Sequence, residues 1–289
     1  MEPLNKPIGV FDSGVGGLTV AREILRHLPD ETIVYFGDTA RVPYGTKSRE
    51  AITRFALEDA RFLVSKDVKM IVVACNSVSS NALGRLKEEF GIPVLGVIEP
   101  GARAACRTTR NNKVGVIGTS ATIESGAYKE AIHRCSQEVD VISAACPLFV
   151  PLVEEGWLDK KITVDVAKEY LVPLLEKGID TLLLGCTHYP LLERAIAMVT
   201  GSEVTLVDSA ETTAKEVAEL VRGGGPVANG HGERAHQFFL SDIPRNFTEI
   251  GKRFLGREIE PVQRVDLSPA FHARTNPPSL KPRRADNSK

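Results

Sequence analysis

A short apolar run ending in a cysteine occurs twice in this chain. The first copy is Lys69-Met70-Ile71-Val72-Val73-Ala74-Cys75-Asn76-Ser77. The second is Thr181-Leu182-Leu183-Leu184-Gly185-Cys186-Thr187-His188-Tyr189-Pro190. Each run fits a buried strand of a parallel sheet, and Leu191 to Val199 fits a helix after the second. Both cysteines then stand at carboxyl ends of strands, where open α/β sheets bind ligands. The positive end of the helix that follows such a strand favours thiolate over thiol. Two cysteines in matching positions imply two matching halves.

The rest of the chain supports that division. Pro7 to Phe11 reads as the first strand, Asp12 to Gly17 as a tight turn and Leu18 to His27 as an amphipathic helix. The strand Thr32–Phe36, a helix from Glu50 to Ser65, the strand Lys69–Ala74, a helix from Asn81 to Phe90 and the strand Val94–Ile98 follow. Lys113-Val114-Gly115-Val116-Ile117-Gly118-Thr119 then repeats the opening, and each half carries a Val-Pro loop, at Val42-Pro43 and at Val150-Pro151. Three landmarks in one order mark a pseudo-repeat. The expected fold is therefore α/β, with two pseudo-symmetric domains of mostly parallel sheet and the active site in the cleft between them.

A strand at 204–207, a helix at 211–221, a loop at Gly223 to Pro226, a strand at 236–241 and a helix at 247–255 complete the pattern. This segment is expected to return to the first sheet. The domains are then 1–98 with 208–265, and 99–207. The Pro-, Arg- and Ser-rich tail, 266–289, has little to bury and reads as disordered.

The glycines after Asp12 do not make a dinucleotide site. The third glycine of that fingerprint would fall at Thr19, and Asp12 would set a carboxylate against a pyrophosphate. An acid at that strand end suits a cationic group such as an ammonium, although capping the helix is its commoner role. Tyr44 and the backbone amides of its loop are candidates to line a pocket.

A net charge of −1 gives no general attraction to nucleic acid or to an anionic membrane. No apolar stretch is long enough to span a bilayer, and the first residues lack a signal peptide's basic start and apolar core. Five cysteines without Cys-x-x-Cys spacing argue for a reducing cytoplasm and against structural zinc. No second histidine lies at ligand spacing from His188, so no metal is expected. Cys106, Cys135 and Cys146 read as small core residues.

Phe11 to Gly17, Arg41 to Gly45, Ala74-Cys75-Asn76, Cys146 to Pro151 with Glu154-Glu155-Gly156, and Gly185 to Pro190 together resemble the glutamate racemases. The likeness runs from Ile8 to Leu255. It implies a cofactor-independent enzyme that interconverts L- and D-glutamate, supplying the D-enantiomer to peptidoglycan, and a cytoplasmic homodimer. It implies that Cys75 and Cys186 are the two catalytic acid/bases, assisted by Asp12 on one side and by Glu154 and His188 on the other. Asp12, Ser13, Tyr44, Gly45, Asn76, Ser77, Thr187 and His188 would hold the substrate. Ser77 stands where that family has Thr, and Val78 where it has Ala.

Three rival readings remain. An aspartate racemase of the same superfamily carries an acid in place of His188. A cysteine hydrolase would use Cys186 as nucleophile and His188 as base, and leaves the duplicated Cys75 unexplained. A catalytically silent relative would bind a ligand or regulate.

Overall fold

The computed structural model describes residues 6–223, 235–245, 247–259 and 261–267. Its first half runs β1 (Ile8–Asp12), α1 (Leu18–His27), β2 (Ile33–Gly37), two 3-10 turns (Thr39–Arg41 and Tyr44–Thr46), α2 (Arg49–Ser65) and β3 (Met70–Val73). It continues with α3 (Asn76–Asn81), α4 (Leu83–Glu89), β4 (Val94–Gly96) and α5 (Ile98–Thr108). The second half runs β5 (Lys113–Gly118), α6 (Ser120–Glu124), α7 (Ala127–Cys135), β6 (Asp140–Ala145), α8 (Phe149–Glu154) and α9 (Lys161–Leu175). Then come β7 (Thr181–Gly185), a 3-10 turn (Tyr189–Leu192), α10 (Glu193–Thr200) and β8 (Thr205–Asp208). After these come α11 (Ser209–Gly223), β9 (Gln237–Leu240), α12 (Phe247–Leu255) and β10 (Val262–Arg264), the last element among the described residues.

The strands form a six-stranded sheet, β10-β9-β2-β1-β3-β4, and a four-stranded sheet, β6-β5-β7-β8. Every pairing is parallel. The order 2-1-3-4 in the first sheet and 6-5-7-8 in the second is one topology used twice, which is the repeat expected from the paired cysteines. β9 joins the first sheet beside β2, as the returning segment requires. In each sheet the order reverses between the first and third strands of its half, so ligand crevices open at the ends of β1 and β3 and of β5 and β7. Burial explains the continuous apolar runs: β1, β2, β3 and β7 are buried at every residue.

One buried apolar cluster joins the two sheets through Leu18, Ala102, Leu183 and Val217 on α1, α5, β7 and α11. A second, built around Phe36, Phe62 and Val73, covers the other face of the first sheet. Val265 and Leu267 pack against it. The expected loop residues Gly224 to Pro226 and the tail from Ser268 lie outside the described residues.

Three expectations change. The helix after Cys75 begins at Asn76, not Asn81, and breaks at Ala82. Its first turns are polar, so no apolar period announces them, and Ser80 and Asn81 bond back to the Ser77 carbonyl. The strand expected to reach Ile98 ends at Gly96, because Ile98 opens α5, whose first turn accommodates Pro100. Finally, Val42-Pro43 lies in extended backbone with a cis peptide, whereas Val150-Pro151 is helical within α8. That landmark matches in position and not in shape.

Candidate active site

Cys75 follows β3 and precedes α3; Cys186 follows β7. The two thiols, 5% and 6% exposed, line one cavity of about 350 Å³. The first half contributes Ser13, Gly14, Tyr44, Gly45, Asn76 and Ser77, and the second Thr119, Val150, Glu154, Thr187 and His188. The topology thus brings together both cysteines and the residues singled out after each.

On the first wall, the Cys75 Sγ lies 3.5 Å from the Ser13 Oγ. Burial and then the charge of Asp12 push the Cys75 thiol up to about 12. The thiolate expected at this helix end is therefore disfavoured, because desolvation outweighs the helix dipole. Asp12 is itself buried; its Oδ2 accepts from the Gly14 amide at 2.9 Å and its Oδ1 has no protein partner. Burial raises its pKa, with His188 opposing. Gly17, at the cap position of α1, has no side chain to cap the helix. The Asp12 carboxyl faces the backbone amides of Gly14 and Gly17, so it braces the loop at the start of α1. Ser13 and Gly14 line the cavity and Asp12 does not.

On the second wall, the His188 Nδ1 lies 3.9 Å from the Cys186 Sγ, and its Nε2 lies 3.1 Å from the Glu154 Oε1. Burial opposes a charged ring, but the contacts with Cys186 and Glu154 outweigh it and push His188 up to about 10. The ring thus stands between the Glu154 carboxylate and the sulfur of Cys186, in reach of both, and its charged form is favoured there. Phe254 packs edge-on against the His188 ring with centroids 5.0 Å apart. Arg253 donates to the carbonyl of Val153 at 3.0 Å, securing the end of α8 that carries Glu154.

Tyr44 lines the cavity, but its hydroxyl donates to Asp38 and lies 3.2 Å from Asp59, in a buried network with Arg41. Tyr44 thus stands in the cavity wall as expected, with its hydroxyl engaged by two buried acidic side chains that fix the loop. Ser77 lies 2.9 Å from the Thr119 hydroxyl, which lies 3.0 Å from that of Thr122. Thr119 was not singled out by the sequence, although its place after β5 mirrors that of Ser13 after β1. Tyr128 was missed too: its hydroxyl donates to the Asn76 Oδ1 at 2.6 Å, leaving the buried Nδ2 without a protein partner. Among the described residues, no group of three or more His, Cys, Asp or Glu is arranged to hold a metal, and no helix is long and apolar enough to cross a membrane.

Fold and site together define a two-sheet α/β enzyme with a pair of thiols facing one cavity. Residues 8–217 match the family of Asp/Glu/hydantoin racemases. The chain is 56% identical over 262 residues to the glutamate racemase of Geobacter metallireducens, covering 91% of this chain and 97% of that one. It superposes on the glutamate racemase of Francisella tularensis in complex with D-glutamate, with a TM-score of 0.87 and 41% identity over 91% of this chain and 98% of that one. A glutamate racemase isoform from Bacillus anthracis superposes as well, with a TM-score of 0.87, 45% identity and the same coverage. The chain belongs to the Asp/Glu/hydantoin racemase family, and within it to the glutamate racemases.

Proposed function

We propose that this chain interconverts L- and D-glutamate with two cysteines, one as thiolate taking the α-proton and the other as thiol giving its own proton to the opposite face of Cα. The observation that carries the proposal is the pair, Cys75 and Cys186, at matching strand ends around one cavity. Racemisation removes the α-proton from one face and returns a proton to the other, so two bases on opposite walls suffice with the substrate held still. In the L-to-D direction, Cys186 as thiolate takes the α-proton and the Cys75 thiol gives its own to the far face. The reverse direction exchanges the roles. Each thiol has a group beside it to take or return a proton: Asp12 for Cys75, and His188 backed by Glu154 for Cys186.

The substrate-binding part of the reading rests on the donors around the cavity. The Asn76 Nδ2, which has no protein partner, the hydroxyls of Ser13, Ser77, Thr119 and Thr187, and the amides of the Gly45 loop suit two carboxylates and the charge that grows on deprotonation. The division into domains 1–98 with 208–265, and 99–207, is supported by β8 ending the second sheet at Asp208 and β9 joining the first. A cytoplasmic homodimer completes the reading, along with a role in supplying D-glutamate to peptidoglycan. Light scattering on purified protein tests the oligomer. A chiral assay with L- and D-glutamate, and with aspartate and alanine as controls, tests the activity. Glutamate should racemise in both directions; a faster rate with aspartate would overturn the assignment.

A further inference from the structure

Tyr128 has a conspicuous setting. It lies on α7, is 2% exposed and does not line the cavity, yet it touches the turns that carry both cysteines. Its hydroxyl donates to the Oδ1 of Asn76, the residue after Cys75, at 2.6 Å. Its ring packs on Gly185, the residue before Cys186, so closely that a methyl group there would stand 2.9 Å from Cε2. Gly101 closes the other side of the ring, where a methyl group would meet Cε1 at 3.3 Å.

A primary amide can present either its oxygen or its NH₂ to a cavity, and its hydrogen-bond partners decide which. Here the tyrosine hydroxyl takes the oxygen. The Nδ2 is left buried, without a protein partner, on a residue of the cavity wall. A buried donor left open costs stability unless something fills it. We infer that Tyr128 is a positioning residue: by engaging the amide oxygen of Asn76 it leaves the NH₂, on a residue of the cavity wall, as the group that an oxygen of the substrate takes up on binding. The inference rests on the racemase reading and adds to it a residue outside the cavity that sets the polarity of one binding group.

A double-mutant cycle tests it, with kcat and KM measured for both enantiomers. Tyr128→Phe keeps the ring against Gly185 and Gly101 and removes only the hydroxyl. It should lower kcat/KM by about tenfold, the scale of one hydrogen bond to a charged group. In an Asn76→Ala background the same substitution should change kcat/KM by less than about twofold, since the amide it orients is gone. An equal loss in both backgrounds, or no loss in the wild-type background, would overturn the inference. A Tyr128→Phe chain that does not fold shifts the test to Asn76→Asp, which keeps an acceptor for Tyr128 and lacks the NH₂. Activity of Asn76→Asp close to wild type would also overturn it. Failure of the wild-type protein to racemise glutamate would instead strike the underlying reading, so the two outcomes are separable.

Discussion

Gly16 packs against His188: a methyl group on Gly16 would stand 2.6 Å from the ring nitrogen Nδ1, and 2.2 Å from the hydroxyl of the neighbouring Thr187. Gly16 belongs to the loop after β1 and His188 to the loop after β7, so the contact joins the two sheets at the site. The glycines that superficially suggest a nucleotide loop have a different use. They leave room for the histidine that faces the second thiol. Thr19 strengthens the seam by donating to the Thr187 carbonyl at 3.2 Å.

Gly16→Ala should therefore displace Thr187 and His188. Overpacking of this kind costs about 1–3 kcal/mol, so the melting temperature should fall. Turnover should fall with it, by at least about tenfold, since small misplacements of catalytic groups are costly. Thermal unfolding and steady-state rates check both. A variant with normal turnover would mean that His188 can move aside without loss.

Much of this arrangement was legible because it is local and periodic. α1 and α12 follow their apolar stripes at the expected bounds, and the two cysteine strands announce themselves by continuous apolar runs. α3 was hidden because its residues are polar and bond to their own backbone. α5 was hidden because Pro100 and Gly101 break its pattern, although the first turn of a helix tolerates proline. The direction of the Tyr44 hydroxyl, the bond from Tyr128 to Asn76 and the contact of Phe254 with His188 depend on long-range partners, which no local pattern encodes. The Cys75 thiol departs from expectation for a related reason. Burial is a tertiary property, and here it overrides the local helix end.

Asp12 lies within electrostatic reach of Cys75 and keeps one oxygen unpartnered. Asp12→Asn retains an acceptor for the Gly14 amide and removes the capacity to take a proton. Turnover should drop by at least about a hundredfold, the lower end of a general acid–base contribution. The melting temperature should hold or rise, because a buried carboxyl group is replaced by a neutral amide. Near-normal turnover would leave Asp12 with only its loop contact.

The raised pKa of His188 makes a prediction about stability and pH. A group whose pKa is higher in the folded state stabilises that state when protonated. For His188 this contribution is complete below the ordinary value of 6.5 and disappears as pH rises through about 10. Between those limits, stability should fall with a slope of at most about 1.4 kcal/mol per pH unit. His188→Gln should flatten this part of the profile. Denaturant unfolding at several pH values, for both proteins, measures the difference. Parallel profiles would mean that the ring carries no extra proton in the folded protein.

The two-thiol proposal is tested most directly in heavy water. Cys75 and Cys186 stand on strand ends of different sheets, so each wall serves one face of Cα. Either Cys→Ala substitution should abolish racemisation, because a proton taken from one face is of no use without a donor on the other. Thiols exchange with solvent, so in heavy water the donating thiol carries deuterium. At low conversion the product should be deuterated at Cα while the remaining substrate keeps its hydrogen, in both directions. The equilibrium constant between enantiomers is unity, so kcat/KM must also be equal from either side at every pH, whatever the acidity of each thiol. Product that retains the substrate's own hydrogen would mean that a single base reaches both faces, and the assignment of one thiol to each wall would fall.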